Sequence, residues 1–469
     1  MENIGILVVS YGSRAASIVD AFSRSNYNVK LYIADKQKNP FNLEKATEHV
    51  VIPDLSVDKI CEWAKSRAEK INFGVVCPEG PIIAGIRDIM EKETGIPMVC
   101  PTKEFALEES KVAQREIMAK CVPEANPRYK VFRKSEYKTE EDMKKDLKNW
   151  LSELNNQAVV KPDRPGYGKG VGVWGDHFNS FEELYKHFMT IYEKDSVIIE
   201  EKVDGEESSY QCFCDGVNLV GLPDVRDYKR AFDNDAGPNT GGMGSYKDAS
   251  DHLPFMSAQD REREGDIANR LFKHLKSGKK EEDGLRGPAL YLAYMHTKEG
   301  PKILEINSRG GDPEFINIMS TMKDDYVDVC FDMIDGSLRR VRMDKKASVL
   351  TYKVPASYGG FGAQFPDKVK QGEAGGPIDL SKAYKLSREY NGNIRIYPGS
   401  MSLGDDGKNY ALGSRTVACV GLADNLEEAR ELSLKGVNAV TGGGLWHRTD
   451  VASAEHIGKS VEHMKKIRC

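Results

Sequence analysis

The chain has 469 residues, of which 72 are acidic and 67 basic, so its formal net charge is -5. This balance argues against a general nucleic-acid-binding protein, because such proteins usually carry a basic excess. At about 100–200 residues per domain, the length predicts two to four domains.

The first hundred residues follow the pattern of a parallel α/β domain. Apolar runs at 4–9, 29–34 and 73–77 are predicted strands that are buried on both faces. A glycine turn and a helical pattern follow the first strand, and another predicted helix covers 82–92. Because strand, turn, helix and strand make a βαβ unit, we expect an N-terminal domain at 1–100.

The next segment alternates helical and strand patterns around a glycine-rich loop. The predicted elements are helices at 103–120, 136–155 and 180–192, strands at 158–162 and 197–203, and a hairpin at 211–220 that turns at Asp215–Gly216. A strand, a glycine loop, a strand, a helix and a strand make the layout of a small lid over a nucleotide. We place this lid at about 123–196.

Beyond residue 220 the chain passes through a polar, glycine-rich stretch and then returns to regular patterns. The stretch at 224–246 has no periodicity and is predicted to be a functional or disordered loop. The predicted elements after it are helices at 260–275 and 425–440, and strands at 289–296, 302–306, 349–354, 394–397 and 416–422. We therefore expect a middle domain at 101–345 and a C-terminal α+β domain at 346–469.

The nine cysteines are scattered and form no CxxC pair, so the sequence does not support a zinc site. An odd number of cysteines in a long chain is not typical of a secreted disulfide scaffold. The first apolar run has no basic leader, and no stretch approaches the ~20 apolar residues that span a bilayer. The sequence therefore predicts a cytoplasmic protein that acts without a membrane.

The segment VVKPDRPGYGKGVGV at 159–173 carries two lysines among glycines. Lys161 lies within an apolar strand, where an ammonium group is costly unless it meets an anion. Lys169 lies in the loop, whose glycines allow the backbone to approach phosphate oxygens. The segment is either a phosphate-binding cover or a glycine-rich hairpin with a lysine that reaches solvent, and the pattern alone does not decide between them.

The segment IIEEKVDGEESS at 198–209 is an acidic strand and turn. The backbone at Glu201 and Val203 could hydrogen-bond an adenine edge, and the carboxylate of Glu207 could accept from ribose hydroxyls. Taken by itself, the segment is better explained as a solvated acidic hairpin.

The segment KILEINSRGGDPE at 302–314 crowds polar side chains around two glycines. Glu305 and Asn307 alternate with apolar residues, which predicts that both lie on one face of a strand. Their oxygens suit Mg²⁺ or Mn²⁺, and Arg309 can stabilise charge on a transferring phosphoryl group. Residues 312–314 are predicted to cap a helix that runs toward Met322.

The segment RDYKRAFDNDAGPNTGGMGSY at 226–246 combines cations, acids and closely spaced glycines. One interpretation is a disordered loop. The other is a substrate-binding loop whose backbone N–H groups face a carboxylate.

These four segments, in this order, resemble those of the phosphoribosylamine–glycine ligase family, and the run at 227–246 is close to that family's signature. Shorter likenesses lie in PEGPIIAG at 78–85, PTKEFALEESK at 101–111 and LWHRTDV at 445–451. The resemblance covers nearly the whole chain. It implies an ATP-grasp fold with an N-terminal parallel α/β domain, and ATP-dependent joining of glycine to 5-phosphoribosylamine through an acyl phosphate.

The resemblance also implies roles for individual residues. The implied ATP-binding residues are Lys111, Lys161, Lys169, Glu200, Glu201, Val203 and Glu207, and the implied ligands of Mg²⁺ or Mn²⁺ are Glu305 and Asn307. The implied catalytic residues are Asp227, Lys229, Arg309 and Asp312. The implied substrate-binding residues are Gly12, Arg14, Pro78, Glu79, Asn239, Gly241, Gly242 and Gly244.

The sequence departs from the family pattern in the turn after the first strand. The family has glycine, glycine, arginine, glutamate and histidine there, and this chain keeps Arg14 but has Ala15 and Ala16 in place of the last two. One alternative is therefore an ATP-grasp ligase that uses a different amine, and another is an inactive nucleotide-binding protein. In each case the expected partners are small molecules, with the chain a monomer or a small homo-oligomer.

Overall fold

A five-stranded parallel sheet opens the chain in the computed structural model, which describes residues 2–165, 170–277, 283–369 and 374–469. Its strands, in the spatial order β3-β2-β1-β4-β5, are β1 (Asn3–Ser10), β2 (Asn28–Asp35), β3 (Glu48–Val51), β4 (Phe73–Val76) and β5 (Met98–Val99). The helices beside them are α1 (Gly12–Ser23), α2 (Pro40–Lys45), α3 (Val57–Lys65), α4 (Glu79–Ile83) and α5 (Ile86–Thr94). The predicted parallel α/β opening is confirmed.

The strand order of this sheet reverses between β1 and β4. In open α/β sheets, ligands bind outside the carboxyl ends of the strands at such a switch point, and here those ends lead directly into α1 and α4. The single helix predicted at 82–92 is wrong, because Gly85 has a φ of 84°, in the left-handed region, and separates α4 from α5.

A small antiparallel sheet, in the order β6-β9-β7-β8, forms the next part of the chain. Its elements, with the helix that precedes them, are α6 (Lys111–Cys121), β6 (Tyr129–Phe132), α7 (Glu140–Glu153), β7 (Ala158–Pro162), β8 (Gly172–Val173), α8 (Phe181–Tyr192) and β9 (Val197–Glu201). The apolar faces of α7 and α8 pack on this sheet and make a core of their own. The predicted helix at 103–120 begins only at Lys111, where Ser110 Oγ accepts from the N–H of Ala113, and short 3-10 turns precede it.

A second antiparallel sheet, in the order β11-β10-β16-β17, lies at the centre of the chain. The elements of this region are β10 (Glu206–Asp215), β11 (Leu219–Gly221), β12 (Arg226–Asp227), β13 (Arg230–Phe232), β14 (Ala236–Asn239), β15 (Gly244–Lys247), α9 (Ala258–Lys276), β16 (Arg286–His296), β17 (Pro301–Asn307), α10 (Glu314–Thr321) and α11 (Tyr326–Ile334). The hairpin at Asp215–Gly216 and the pairing of β16 with β17 are confirmed. One face of the sheet packs on α6 and α9, and the polar residues that alternate with this apolar set lie on the other face.

The stretch at 224–246 is more regular than the sequence predicted. It contains β12 to β15, and β15 pairs with both β12 and a strand of the C-terminal region. The pairs β12–β15 and β13–β14 are local, and the strand of the C-terminal region, about one hundred residues away, supplies the hydrogen bonds on the other side of β15. A distant partner strand can hold such a segment without local periodicity.

The C-terminal region is a mixture of helices and antiparallel strands, as expected. Its elements are β18 (Ala347–Pro355), α12 (Phe361–Gln364), β19 (Ile378–Asp379), α13 (Ser381–Glu389), β20 (Ile394–Pro398), β21 (Met401–Leu403), β22 (Asn409–Ala411), β23 (Val417–Ala423), α14 (Leu426–Ala439), β24 (Thr441–Gly442), β25 (Leu445–Trp446) and α15 (Ala454–Arg468). The order β12-β15-β18-β23-β20 joins this region to the 224–246 stretch. Side-chain hydrogen bonds join it to the N-terminal sheet, since Asn39 Nδ2 donates to Pro398 O at 2.9 Å and Ser13 Oγ to Tyr397 O at 2.9 Å.

Across the described ranges, no helix combines the length and the apolar character required to cross a membrane.

Candidate active site

Glu305 and Asn307 lie at the end of β17 and contact each other. Asn307 Nδ2 donates to Glu305 Oε1 at 3.3 Å. Burial alone would raise the pKa of Glu305, but Lys111, Lys161 and Lys229, together with this hydrogen bond, hold it below its usual value. The site therefore keeps an anionic carboxylate among three ammonium groups.

Lys161 points from β7 of the small sheet toward the central sheet. Its Nζ lies 2.8 Å from Glu200 Oε2 and donates to Leu304 O at 3.1 Å. Burial lowers the pKa of Lys161, and Glu200 opposes that effect. Lys111 is the first residue of α6, and its charge lowers the pKa of Glu305 more than that of Lys161 does. Lys169 lies outside the described residues.

Glu200 is held by an arginine that the sequence analysis missed. Arg115 donates from Nε to Oε1 at 2.6 Å and from Nη2 to Oε2 at 2.9 Å, and both side chains are almost fully buried. Arg115 also donates to the carbonyls of Ile303 and Leu304, each at 2.7 Å. Glu200 thus anchors Lys161 and Arg115 between the two sheets, and both of its oxygens are engaged.

Glu201 is the last residue of β9, and Val203 lies in the hinge that leads to β10. The N–H of Glu201 donates to Arg128 O at 2.9 Å, and its carboxylate accepts from the N–H and Nε of Arg128, each at 2.9 Å. Among the described residues, no hydrogen bond engages the backbone N–H of Val203. The hinge therefore keeps a free backbone donor beside the strand that carries Glu207.

Glu207 of β10 and Asp227 of β12 share one lysine. Lys229 Nζ contacts Glu207 Oε2 and lies 3.3 Å from Asp227 Oδ1. Burial and Glu207 raise the pKa of Asp227, while Lys229 lowers it. Burial opposes the charge of Lys229, but the two carboxylates raise its pKa above the usual value.

Arg309 joins the central sheet to the N-terminal switch point. Its Nη2 donates to Glu108 Oε1 at 2.9 Å, and its Nε donates to Glu79 Oε2 at 3.3 Å. Arg14, which is almost fully buried, donates to Gly310 O and lies 3.9 Å from the same Glu79 oxygen. Arg309, predicted to act on the phosphoryl group, is therefore adjacent to Arg14 and Glu79, predicted to bind substrate. Glu108 also belongs to this cluster, and the sequence did not predict it.

Pro78 is buried and directly precedes α4, whose first residue is Glu79. It lies at the carboxyl end of β4, on the opposite side of the switch point from Gly12 at the end of β1. Gly12 has a φ of 79°, and a Cβ there would lie 3.2 Å from Asp312 Oδ2.

Asp312 faces the C-terminal region rather than the helix that follows it. Its Oδ1 accepts from Tyr352 Oη at 2.5 Å, and Arg415 Nη1 donates to its carbonyl at 2.6 Å. The prediction that this residue caps α10 is wrong, because the helix begins at Glu314 without a side-chain cap. Tyr352 and Arg415 instead hold the Asp312 carboxylate away from the helix N-terminus. Neither partner gave a signal in the sequence.

The glycines of the 224–246 stretch lie against this arrangement. Arg415 Nη1 donates to the carbonyls of Gly241 and Gly242, and a Cβ on Gly242 would lie 2.7 Å from Pro313 Cδ. The N–H of Gly241 donates to Tyr358 Oη at 3.0 Å, and that of Gly242 to Thr240 Oγ1 at 3.0 Å. These two N–H groups, expected to face a substrate carboxylate, are thus engaged within the protein.

The two remaining predicted residues lie in strands of the same stretch. Gly244 begins β15, where a Cβ would lie 2.6 Å from Leu350 O, so close strand packing requires glycine. Asn239 ends β14, opposite Arg230 in β13. Among the described residues, no side-chain hydrogen bond joins Asn239 to another predicted site residue.

No group of three or more His, Cys, Asp and Glu side chains is placed to hold a metal ion in the part of the chain that the structure describes. A metal at this site would therefore rely on the few oxygens of Glu305 and Asn307 and on oxygens that a substrate brings.

The family model for the phosphoribosylglycinamide synthetase N domain matches residues 4–109, and the model for the ATP-grasp (A) domain of the same enzyme matches residues 98–315. The chain is 35% identical over 467 residues to the phosphoribosylamine–glycine ligase of Methanocella arvoryzae, which covers 99% of each chain. It is 34% identical over 468 residues to that of Pyrococcus furiosus, covering 99% of this chain and 98% of the relative.

Solved structures share the fold. A phosphoribosylamine–glycine ligase from Thermotoga maritima superposes with a TM-score of 0.72 at 24% identity, covering 95% of this chain and 100% of that one. An ADP complex of an N5-carboxyaminoimidazole ribonucleotide synthetase superposes with a TM-score of 0.61 at 14% identity, covering 94% of this chain and 97% of that one.

Proposed function

The chain belongs to the phosphoribosylamine–glycine ligase family of ATP-grasp enzymes, and from this membership we propose that it joins glycine to 5-phosphoribosylamine with ATP. The products are glycinamide ribonucleotide, ADP and phosphate, as in purine biosynthesis. The observation that carries the proposal is the contact of Arg309 with Glu79 and Glu108 beside Arg14, because it joins the phosphate-binding face of the central sheet to the switch point of the N-terminal sheet.

ATP is assigned to the cleft between the small sheet and the central sheet. Lys111 and Lys161 bind its phosphates, and Lys169 of the glycine-rich loop is a further candidate from the sequence. Adenine meets the backbone of Glu201 and Val203, and the free N–H of Val203 supports this assignment. Glu207 accepts from the ribose once Lys229 turns toward Asp227.

Glu200 takes a different role from the one first expected for it. Both of its oxygens are engaged by Arg115 and Lys161, so we assign it to positioning Lys161 rather than to contacting the nucleotide.

Glu305 and Asn307 are assigned to a divalent cation, Mg²⁺ or Mn²⁺. The fit rests on the carboxylate of Glu305, which its cationic neighbours keep ionised, and on the amide oxygen of Asn307. Oxygen ligands supplemented by nucleotide phosphates are what Mg²⁺ prefers. When bound, the ion neutralises charge on the phosphates.

The reaction proceeds in two displacements. The carboxylate of glycine attacks the γ-phosphorus of ATP, ADP leaves, and the lysines and Arg309 stabilise the charge that spreads over the phosphoryl oxygens. The amine of phosphoribosylamine then attacks the carbonyl carbon of glycyl phosphate, the bond to phosphate breaks, and the amine nitrogen gives up a proton. The small sheet excludes water, which would otherwise hydrolyse the acyl phosphate.

The amine substrate is assigned to the switch point, with Gly12, Arg14, Pro78 and Glu79. Asp227 and Asp312 line the glycine and acyl-phosphate site. The glycines at 241, 242 and 244 and Asn239 shape the loop that closes it. All partners in this proposal are small molecules.

The test is ADP release by purified protein that is given ATP, Mg²⁺, glycine and freshly made phosphoribosylamine, with each omitted in turn. ADP that requires all four, with a glycinamide ribonucleotide product, supports the full reaction. ADP that requires glycine without consumption of phosphoribosylamine means that another amine is used. Binding of ATP without any turnover favours an inactive nucleotide-binding protein.

A further inference from the structure

The hinge between β9 and β10, residues 202–205, is held by three other parts of the chain. Lys202 Nζ donates to Trp174 O at 2.8 Å, which ties the hinge to the turn after β8 of the small sheet. A Cβ on Gly205 would overlap His296 O, so the backbone there packs directly on β16. The third contact comes from α15, the last helix. Val203, whose N–H has no hydrogen-bond partner among the described residues, lies between these points.

His463 of α15 contacts a carboxylate on each side of Gly205. Its Nδ1 donates to Oε1 of Glu206, the first residue of β10, at 2.7 Å. Its Nε2 lies 3.3 Å from Oδ1 of Asp204, in the hinge. Both ring nitrogens thus face carboxylate oxygens, and the ring bridges the two residues that flank the hinge glycine.

Glu206 is the firmer end of this bridge. Its Oε2 accepts from Arg226 Nη1, and the same nitrogen donates to Ser460 Oγ of α15 at 2.7 Å. Burial alone would raise the pKa of Glu206, but Arg226 and then His463 hold it below its usual value. The helix therefore engages an ionised Glu206 twice, directly through His463 and indirectly through Ser460 and Arg226.

The helix that carries His463 is itself firmly placed. Met464 is 2% exposed and lies in a hydrophobic core with Tyr246 and Val349. At the end of the helix, Arg468 Nη2 donates to Asp260 Oδ1 of α9 at 2.9 Å. Because α15 is anchored to both the C-terminal and the central regions, its side chains give the hinge a rigid support.

We infer that His463 is a positioning residue for the nucleotide, because it fixes the hinge from outside in the geometry that presents the N–H of Val203 to adenine. The inference rests on the proposed function, which assigns adenine to this hinge. It goes beyond that function in giving the C-terminal helix a part in nucleotide affinity. The matched ATP-grasp domain ends at residue 315, so this support comes from outside it.

The experiment measures kcat and the KM values for ATP and glycine in His463→Ala, and the Kd of ADP with Mg²⁺ by calorimetry. We expect the KM for ATP and the Kd of ADP to rise about 2- to 12-fold, which corresponds to one ordinary hydrogen bond. The KM for glycine and kcat stay unchanged. His463→Asn regains most of the affinity, because its amide nitrogen donates to Glu206 from near the Nδ1 position. Lys466→Ala, an exposed lysine on the same helix, is the matched control and keeps the wild-type constants.

Asp204→Asn is the second variant, and it carries the test if His463→Ala does not fold. The Asp204 side chain is 78% exposed, so the Kd of ADP rises only about 1.5- to 5-fold. The double variant binds ADP no more weakly than His463→Ala, because the bridge is already lost.

The inference is overturned if every variant that folds keeps the wild-type Kd of ADP. It is also overturned if kcat falls while the nucleotide constants stay fixed, which a merely structural role would produce. If the wild-type protein binds ADP but forms no glycinamide ribonucleotide, the proposed function fails, and the ADP titrations still decide the role of His463.

Discussion

Arg448, whose side chain is fully buried, places its Nη1 2.9 Å from Oδ1 of Asp235, which lies in the 224–246 stretch. The same nitrogen donates to Arg230 O at 3.0 Å, and the rest of the guanidinium holds both oxygens of Asp450. His456 contacts the other oxygen of Asp235 at 2.7 Å. The segment at 445–451, one of the shorter likenesses to the family, therefore fastens the loop between β13 and β14.

The first prediction is that Arg448→Lys loosens this loop without touching the ATP cleft. Lysine keeps the charge but cannot reach Arg230 O, Asp235 and Asp450 together, since it lacks the planar fork of arginine. We expect the free energy of unfolding to fall by about 1–3 kcal/mol and the KM for glycine to rise, with the KM for ATP unchanged. Urea unfolding and steady-state kinetics measure both. Lys459→Ala, in an exposed pair on α15, is the control and should change neither quantity.

The second prediction concerns Gly242, which has a φ of 105° and would bring a Cβ to 2.7 Å from Pro313 Cδ. Gly242→Ala adds a steric clash to an unfavourable backbone conformation, so we expect a loss of about 2–5 kcal/mol in unfolding free energy. Gly407→Ala is the comparison, because Gly407 has a φ of 77° but no atom within 4 Å of the added Cβ. It should cost only about 1–2 kcal/mol. Equal losses in the two variants would mean that Pro313 moves away from the added methyl group at little cost in free energy.

The third prediction separates a buried ion pair from an exposed one on neighbouring glutamates. Arg115→Met leaves the buried Glu200 with Lys161 as its only cation, and we expect a loss of about 3–5 kcal/mol in unfolding free energy. ATP binding should weaken as well, because Lys161 is then drawn to Glu200. Arg128→Met removes the partner of Glu201, but Arg128 is 57% exposed, so about 0–1 kcal/mol is expected. Chemical denaturation and ATP titration of both variants make the comparison.

The sequence predicted the site best where local alternation fixes the direction of side chains. Glu305 and Asn307 were expected on one face of a strand, and they hydrogen-bond there. The buried strand around Lys161 was also predicted, because an apolar run identifies it. These features depend on residues that are neighbours in the chain.

The sequence did not predict polar contacts between residues that are far apart in the chain. Arg415 contacts Asp312 from 103 residues away, and Tyr352 contacts it from 40 residues away, and neither has a local pattern that marks it. Glu108 likewise meets Arg309 across 201 residues. The contact of Glu108 with Ser308 also accompanies a break in the helix expected at 103–120. Long-range polar contacts of this kind arise only once the sheets are assembled.

The fourth prediction is that Glu305→Ala abolishes turnover while the protein stays folded. The substitution removes the anionic oxygen that we assign to the divalent cation and leaves three ammonium groups without their shared carboxylate. ADP release should fall to background, and the thermal unfolding transition should remain cooperative. Near-normal ADP release would contradict the assignment of the metal site to this residue.

The last prediction uses Glu314 as a pH-dependent element of stability. Because burial and Asp227 raise its pKa to about 7 in the folded protein, and the unfolded chain has the ordinary value near ~4.3, the folded state binds more protons between these values. Stability therefore falls as the pH rises through this window, and the loss is complete above pH ~7. The charged groups that act on Glu314 or respond to its charge are Asp227, Lys229, Arg309 and Arg415, and the neutral hydroxyl of Tyr291 donates to it.

Glu314→Gln has no carboxyl group to ionise, so this part of the pH dependence should disappear. The unfolding free energy of the variant minus that of the wild type should increase by on the order of 1–3 kcal/mol between pH 4 and pH 8. A comparison of slopes is needed because the substitution itself changes the unfolding free energy by an amount that does not depend on pH. Denaturant unfolding at several pH values measures the difference. Parallel curves for the two proteins would mean that Glu314 titrates alike in the folded and unfolded states, and that Asp227 does not repel it.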